Sequence, residues 1–228
     1  MRVLAITLAR GGSKGIHHKN LIDLCGKPLL QYTIDLAKDC EFIDRYIVST
    51  DDIEIMKYCQ SKGVDVPFLR PAFLATDEAT SVDALIHAVH FCETQDKCKY
   101  DYIIELMATN PLKNKDDVEK CLIKLKNTSA DSVIGVTKVE EHHPARIKKI
   151  ESDKILDFCV PELSSRRQDL RPFAYIRNGS IYALNRNKLI NEKHRFGGLN
   201  SRPHIMPYER SINIDSIMDL KLCELFLS

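Results

Sequence analysis

Apolar runs without polar alternation recur along the chain, separated by stretches whose apolar residues return every three or four positions. Val3 to Leu8, Tyr46 to Val48, Val64 to Leu69, Tyr102 to Met107 and Asp131 to Val136 are the runs, and each reads as a strand buried on both faces. Between them the spacing predicts helices. Pro28 opens one through Leu29, Leu30, Tyr32, Ile34 and Leu36, with proline in the tolerated first turn. Ser49-Thr50-Asp51-Asp52 caps a second, from Ile53 to Lys62, which Gly63 ends. Val82 to Cys92 and Asp116 to Leu125 are the third and fourth. Strands alternating with helices imply right-handed crossovers, hence an α/β fold with a mainly parallel sheet covered on both faces.

The pattern changes after Thr137. Ile147 to Phe158 reads as a hairpin turning at Ser152-Asp153-Lys154, and the polar stretch from Ser164 to Arg171 follows it. Residues 138–175 are therefore expected to form an insertion that leaves the sheet. Ile181 to Leu184 returns as a strand, and Ile217 to Leu227 closes as a helix. No repeat or linker divides the chain, so residues 1–228 are read as one domain.

Composition narrows the function. Thirty-three basic and 32 acidic side chains leave a net charge of +1, which argues against a general nucleic-acid or membrane surface. No apolar run approaches the ~20 residues a membrane helix needs. The apolar start is better explained as a buried first strand than as a leader. Eight cysteines lack any Cys-x-x-Cys spacing, which points to reduced, buried thiols in a cytoplasm rather than to zinc or disulfides.

The stretch that carries chemistry follows the first strand: Ala9-Arg10-Gly11-Gly12-Ser13-Lys14-Gly15-Ile16-His17-His18-Lys19-Asn20. Loops at the carboxyl ends of parallel strands bind ligands. Glycines let successive N–H groups approach one anion, and Arg10, Lys14 and Lys19 add cations. Neither the Walker A spacing nor the dinucleotide fingerprint is present. Loop composition alone is also compatible with a solvated turn.

Arg10-Gly11-Gly12-Ser13-Lys14-Gly15 followed by Lys19-Asn20 resembles the signature of the CMP-sialic acid synthetases (N-acylneuraminate cytidylyltransferases). Further similar blocks follow in order: Ile47 to Asp52, Arg70-Pro71 with Leu74 to Asp77, Arg166 to Leu170, Asn178 to Tyr182 and Ser211 to Asp215. The resemblance implies a three-layer α/β/α nucleotide-binding domain with a small dimerisation insertion, and hence a homodimer. It implies CTP as substrate and a sialic-acid-like nonulosonic acid as acceptor. The anomeric hydroxyl of that acceptor attacks the α-phosphate and releases pyrophosphate, a displacement that needs positioning and charge neutralisation.

On that footing Arg10, Gly11, Gly12, Ser13 and Lys14 hold the triphosphate, while Lys19, Asn20, Arg70, Thr80 and Ser81 contact the nucleotide. Arg10, Lys14 and Asp215 are the expected catalytic groups. Mg²⁺ or Mn²⁺ is expected on Asp215 and Asn213, as hard cations take oxygen ligands. Arg146, Arg167 and its neighbour Arg166 are candidates for the acceptor's carboxylate, and Gln168, Asn178 and Phe196 for its pocket. Two positions depart from the family pattern. Asn213 stands where the relatives carry aspartate, and Met107 where they carry glutamine. Met107 donates no hydrogen bond, so a less hydroxylated acceptor, legionaminate or pseudaminate, is expected over N-acetylneuraminate. His142-His143, if in a strand, point to opposite faces and suit packing rather than a metal. The alternatives are a Kdo-type or other sugar nucleotidyltransferase, and a nucleotide-sugar binding protein impaired at Asn213 and Met107.

Overall fold

A computed structural model describes residues 1–13 and 15–227. In chain order its elements are β1 (Val3–Leu8), β2 (Asp23–Leu24), β3 (Lys27–Pro28), α1 (Leu29–Asp39), β4 (Arg45–Ser49), α2 (Ile53–Ser61), α3 (Ser81–Asp96) and β5 (Tyr102–Leu106). There follow α4 (Lys115–Thr128), β6 (Ser132–Val139), β7 (Lys148–Glu151), β8 (Lys154–Asp157), β9 (Ala174–Asn185), α5 (Arg186–Glu192), β10 (Ser201–Ile205) and α6 (Ile217–Leu227). Six strands form one sheet in the order β10-β6-β9-β5-β1-β4. β4, β1 and β5 pair in parallel, as do β6 and β10, while β9 runs against both of its neighbours.

The sheet is the middle of three layers. Val3 and Ala5 of β1 face a core with α4, while Leu4 and Ile6 face one with α3 and α5. Alternate residues of one strand thus enter opposite cores, which is why the strand is apolar apart from Thr7, whose hydroxyl donates to Leu106 O. A third cluster seats α1 and α2 beside β4. A fourth joins Ile16, Leu24 and Leu29 to Ile212, Ile214 and Leu220. That last cluster presses the β1–α1 loop against the segment before α6.

Three expectations need correction. Val64 to Leu69 is not a strand but a pair of isolated bridges, Ile47↔Asp65 and Thr50↔Leu69. Pro67, which has no N–H, interrupts the ladder. The excursion is shorter than 138–175: Thr137, Lys138 and Val139 pair with Ile176, Tyr175 and Ala174, so it leaves the sheet only over 140–173. Within it the hairpin is as expected, β7 with β8, turning on Ser152 and Asp153 at φ 50° and 60°. His142 and His143 lie in a turn rather than a strand. His143 is buried, accepts from the Ala145 N–H and donates to Pro172 O, a packing role.

β10 and α5 escaped the pattern. β10 is an edge strand that carries Arg202-Pro203, a pairing tolerated only there. α5 has seven residues, too few for a periodic signal, and is started by the Asn185 side chain accepting from Asn187 and Lys188 N–H.

Candidate active site

β1, β4 and β5 end on one side of the sheet, and a cavity of about 480 Å³ opens there. Among the described residues of the loop from Arg10 to Asn20, Arg10, Ser13, Gly15, Lys19 and Asn20 form one wall. Two of its glycines are required by close approach. A Cβ at Gly11 would strike the Asp52 carboxylate, which caps α2, and one at Gly15 would strike the Asp215 backbone oxygen. A Cβ at Gly12 would meet nothing. The Gly11 N–H donates to Asp51 Oδ1 at 3.2 Å. Ser13 lines the cavity. Lys14 lies outside the described residues.

Asn20 is buried and its Nδ2 donates to Arg10 O at 3.0 Å, so it braces the loop from below while lining the cavity. Arg10 extends to Asp77 Oδ1 at 3.2 Å. Lys19 crosses to the far end of the chain, where its Nζ donates to Ile214 O at 2.8 Å and Asp215 Oδ1 at 2.7 Å.

Arg70 is 6% exposed, unlike the helix-flanking surface charge its surroundings in sequence would also allow. It sits between α2 and α3, with Nε donating to Ser49 Oγ at 3.0 Å and Nη2 to the Ser49 carbonyl. Burial lowers its guanidinium from the ordinary value; Asp51 opposes this and the Arg10 charge adds to it. Two arginines and Lys19 thus face one cavity, together with Asp77 and Asp215, which pair with Arg10 and Lys19. The N-terminus of α3 points there too. Thr80 caps it, accepting from the Asp83 N–H at 3.1 Å, and Ser81 follows; both line the cavity.

The end of β5 supplies the floor through Glu105, Met107, Ala108 and Thr109. Glu105 is fully buried and receives a bidentate Arg195, at 2.7 and 3.0 Å. The Arg195 guanidinium lies 4.0 Å from the centre of the Tyr182 ring. Burial raises the Glu105 carboxyl, with Arg195 opposing; burial would lower Arg195, yet Glu105 holds it raised. Neither residue was among the expected site residues, although a charge inside Ile103-Ile104-Glu105-Leu106 demands a buried partner. Lys113 was also missed. Its buried ammonium donates to Thr33 Oγ1, Met107 O and Asn110 O at 2.6–2.8 Å, tying the end of β5 to α1.

Of the expected acceptor residues Met107 lines this cavity, and the others do not. Arg146 is held by Glu162, Glu141 and Ser165 O, and Arg167 by Glu141, all in the excursion. Arg166 pairs with Asp169. The backbone carbonyl of Gln168 accepts from Arg171. Arg167 fronts a second cavity of about 650 Å³, with His142, Met206 and Tyr208. Asn178 is buried at the register jump between Ile134↔Tyr182 and Val136↔Arg177, donating to Ser211 Oγ at 3.0 Å. Phe196 is 42% exposed, with the Arg177 guanidinium 3.7 Å from its ring centre.

Asp215 is the one expected metal carboxylate, and no group of three or more His, Cys, Asp or Glu side chains suited to a metal occurs among the described residues. The carboxylate suits a divalent cation that completes its shell with phosphate and water. Two oxygens, Ile214 O and Asp215 Oδ1, already converge on the Lys19 ammonium, which shows that the spot attracts a cation. Asn213 donates through Nδ2 to Asp215 Oδ2 and accepts through Oδ1 from the Thr109 hydroxyl.

Residues 4–197 match the family model described as cytidylyltransferase. A pseudaminic acid cytidylyltransferase of Campylobacter jejuni is 31% identical over 99% of this chain and 96% of its own. An N-acylneuraminate cytidylyltransferase of Escherichia coli is 32% identical over 97% of this chain, which spans 51% of that protein. Among solved structures, a CMP:2-keto-3-deoxy-manno-octonic acid synthetase complexed with CTP superposes with a TM-score of 0.74, covering 100% of this chain and 98% of the other at 18% identity.

Proposed function

The chain belongs to the cytidylyltransferase family, and we propose that it couples CTP to a sialic-acid-like nonulosonic acid, giving the CMP-sugar and pyrophosphate. The observation that carries this is the convergence of Arg10, Lys19, Arg70 and Asp215 on one cavity beside a glycine-rich loop. The acceptor's anomeric oxygen forms a bond to the α-phosphorus as the bond to the β-phosphate oxygen breaks. The hydroxyl proton passes to solvent.

Arg10, Lys14, Lys19 and the Gly12 N–H neutralise the triphosphate and hold it in line. Asn20 keeps the loop in shape through Arg10 O, and Arg70, Thr80 and Ser81 border the base and ribose. A bound Mg²⁺ or Mn²⁺ on Asp215 would supply charge neutralisation for the phosphate oxygens. Met107 favours a 9-deoxy acceptor such as pseudaminate or legionaminate over N-acetylneuraminate. Arg146, Arg167, Gln168 and Phe196 reach the acceptor only from around the cavity's rim or from a second subunit, while the buried Asn178 acts through Ser211. Ile150, Ile155, Phe158 and Leu163 are exposed on the excursion, which fits a homodimer through that face. All eight cysteines are free, in keeping with a reducing cytoplasm.

Pyrophosphate release is to be measured with CTP, Mg²⁺ and a panel of α-keto-acid sugars. Turnover with pseudaminate or legionaminate above that with N-acetylneuraminate is expected. Kdo as the best acceptor, or CTP binding without turnover of any sugar, would overturn the assignment.

A further inference from the structure

We infer that Asn213 is a positioning residue for the Asp215 carboxylate and not a metal ligand, leaving Asp215 as the sole carboxylate this segment offers to a divalent cation. The inference rests on the cytidylyltransferase reading of the cavity, and deepens it. The segment is fixed first by its backbone, as Ile214 N donates to Thr109 O at 2.8 Å. That contact sets Asn213 beside the end of β5. The Thr109 hydroxyl then donates to Asn213 Oδ1, and the amide nitrogen turns to Asp215 Oδ2, each at 2.5 Å.

The orientation of the amide follows from chemistry. An amide has one end that only accepts and one that only donates. Turned around, its oxygen would lie against a carboxylate oxygen with no proton between them. Gly179 closes the side behind Oδ1, where even a Cβ would stand 3.1 Å away. The side-chain carbonyl oxygen of Asn213 is therefore engaged by Thr109 and faces away from Asp215.

The second Asp215 oxygen receives Lys19, so both are satisfied by donors of this chain. An aspartate at 213 would instead place two carboxylates within hydrogen-bond reach of each other. Such a pair holds together only with a proton or a cation between its members. Asparagine removes that requirement, and the segment keeps its shape without metal.

Four proteins separate the roles: wild type, Asn213→Ala, Asn213→Asp and Asp215→Asn. Mn²⁺ binding is read by electron paramagnetic resonance with CTP present and no acceptor, and thermal unfolding is read without nucleotide in chelator and in Mn²⁺. Asn213→Ala should weaken Mn²⁺ about fivefold, the loss of one brace, and Asp215→Asn should abolish protein-dependent binding. Asn213→Asp should unfold earlier in chelator, recover in Mn²⁺, and bind Mn²⁺ at least about tenfold tighter than wild type. Loss of Mn²⁺ binding in Asn213→Ala equal to that in Asp215→Asn would overturn the inference. So would an Asn213→Asp protein whose unfolding ignores chelator. The unfolding arm uses neither CTP nor acceptor, so a failure of the activity assay would strike the proposed reaction and leave this test standing.

Discussion

Consider the replacement of Arg195 by leucine. Glu105 has no exposed surface, and Arg195 supplies both of its bonds. Arg195→Leu therefore leaves a buried carboxylate uncompensated, a change that costs about 3–5 kcal/mol. It also removes the guanidinium from the Tyr182 face, a further loss of about 0.5–2 kcal/mol. Glu105→Leu leaves the opposite charge stranded on a side chain 11% exposed, at a cost of similar size. The double replacement buries two apolar side chains and loses only the stacking, so it should cost about 1–2 kcal/mol. The two single losses then exceed the double by several kcal/mol, a strong coupling. Urea unfolding of the four proteins, with midpoint and slope both fitted, measures it.

The pH dependence has a definite sign. In Arg195→Leu the buried carboxyl titrates above its unfolded value of about 4.3, so the folded state holds the extra proton. The deficit is therefore smallest at acid pH and grows as pH rises through that value towards the raised folded one. Additive single and double losses, or an Arg195→Leu cost below about 1 kcal/mol, would show that water already reaches the pair.

Asp117 and Lys113 give three further expected outcomes. Asp117 is buried where α4 begins, and burial alone would raise it, but His204, Arg210 and the Asn114 N–H hold it at about 2. Its contribution is present above the unfolded value of about 3.9 and lost as pH falls through about 2. Asp117→Asn should accordingly cost about 2–3 kcal/mol in urea melts at pH 7, with the gap closing between pH 4 and 2. Burial pushes Lys113 down to about 7, below the unfolded value of about 10.4. The unfolded chain binds the extra proton between those values, so wild-type stability should rise from pH 7 to 10, and Lys113→Met should flatten that rise. The same variant should speed hydrogen exchange over residues 107–114, because three bonds at the end of β5 are gone.

Burial on one or both faces is written locally, and so the layers of this fold could be read from the chain. β1, β4 and β5, the helices between them and the Ser152-Asp153 hairpin all follow from spacing, caps and turn residues. The Val64 to Leu69 run deceived because an apolar composition outweighed Pro67. β10 stayed hidden because an edge strand can carry Arg202-Pro203 and still pair. The glycine loop pointed to an anion, and the resemblance of separate blocks brought in Arg70 and Asp215, which line the same cavity as the loop.

Pairing across the chain could not be read that way. Lys19 and Asp215 are 196 positions apart, and Glu105 and Arg195 are 90 apart. Glu105 announced that it needed a partner, but nothing near it said which. Asn213 and Thr109 likewise carry no mutual signal until Ile214 bonds Thr109 O and sets them side by side. A residue's own neighbours decide whether it lies in a helix, a strand or a turn. Which charge or amide meets which is decided only when the sheet order brings distant strand ends together.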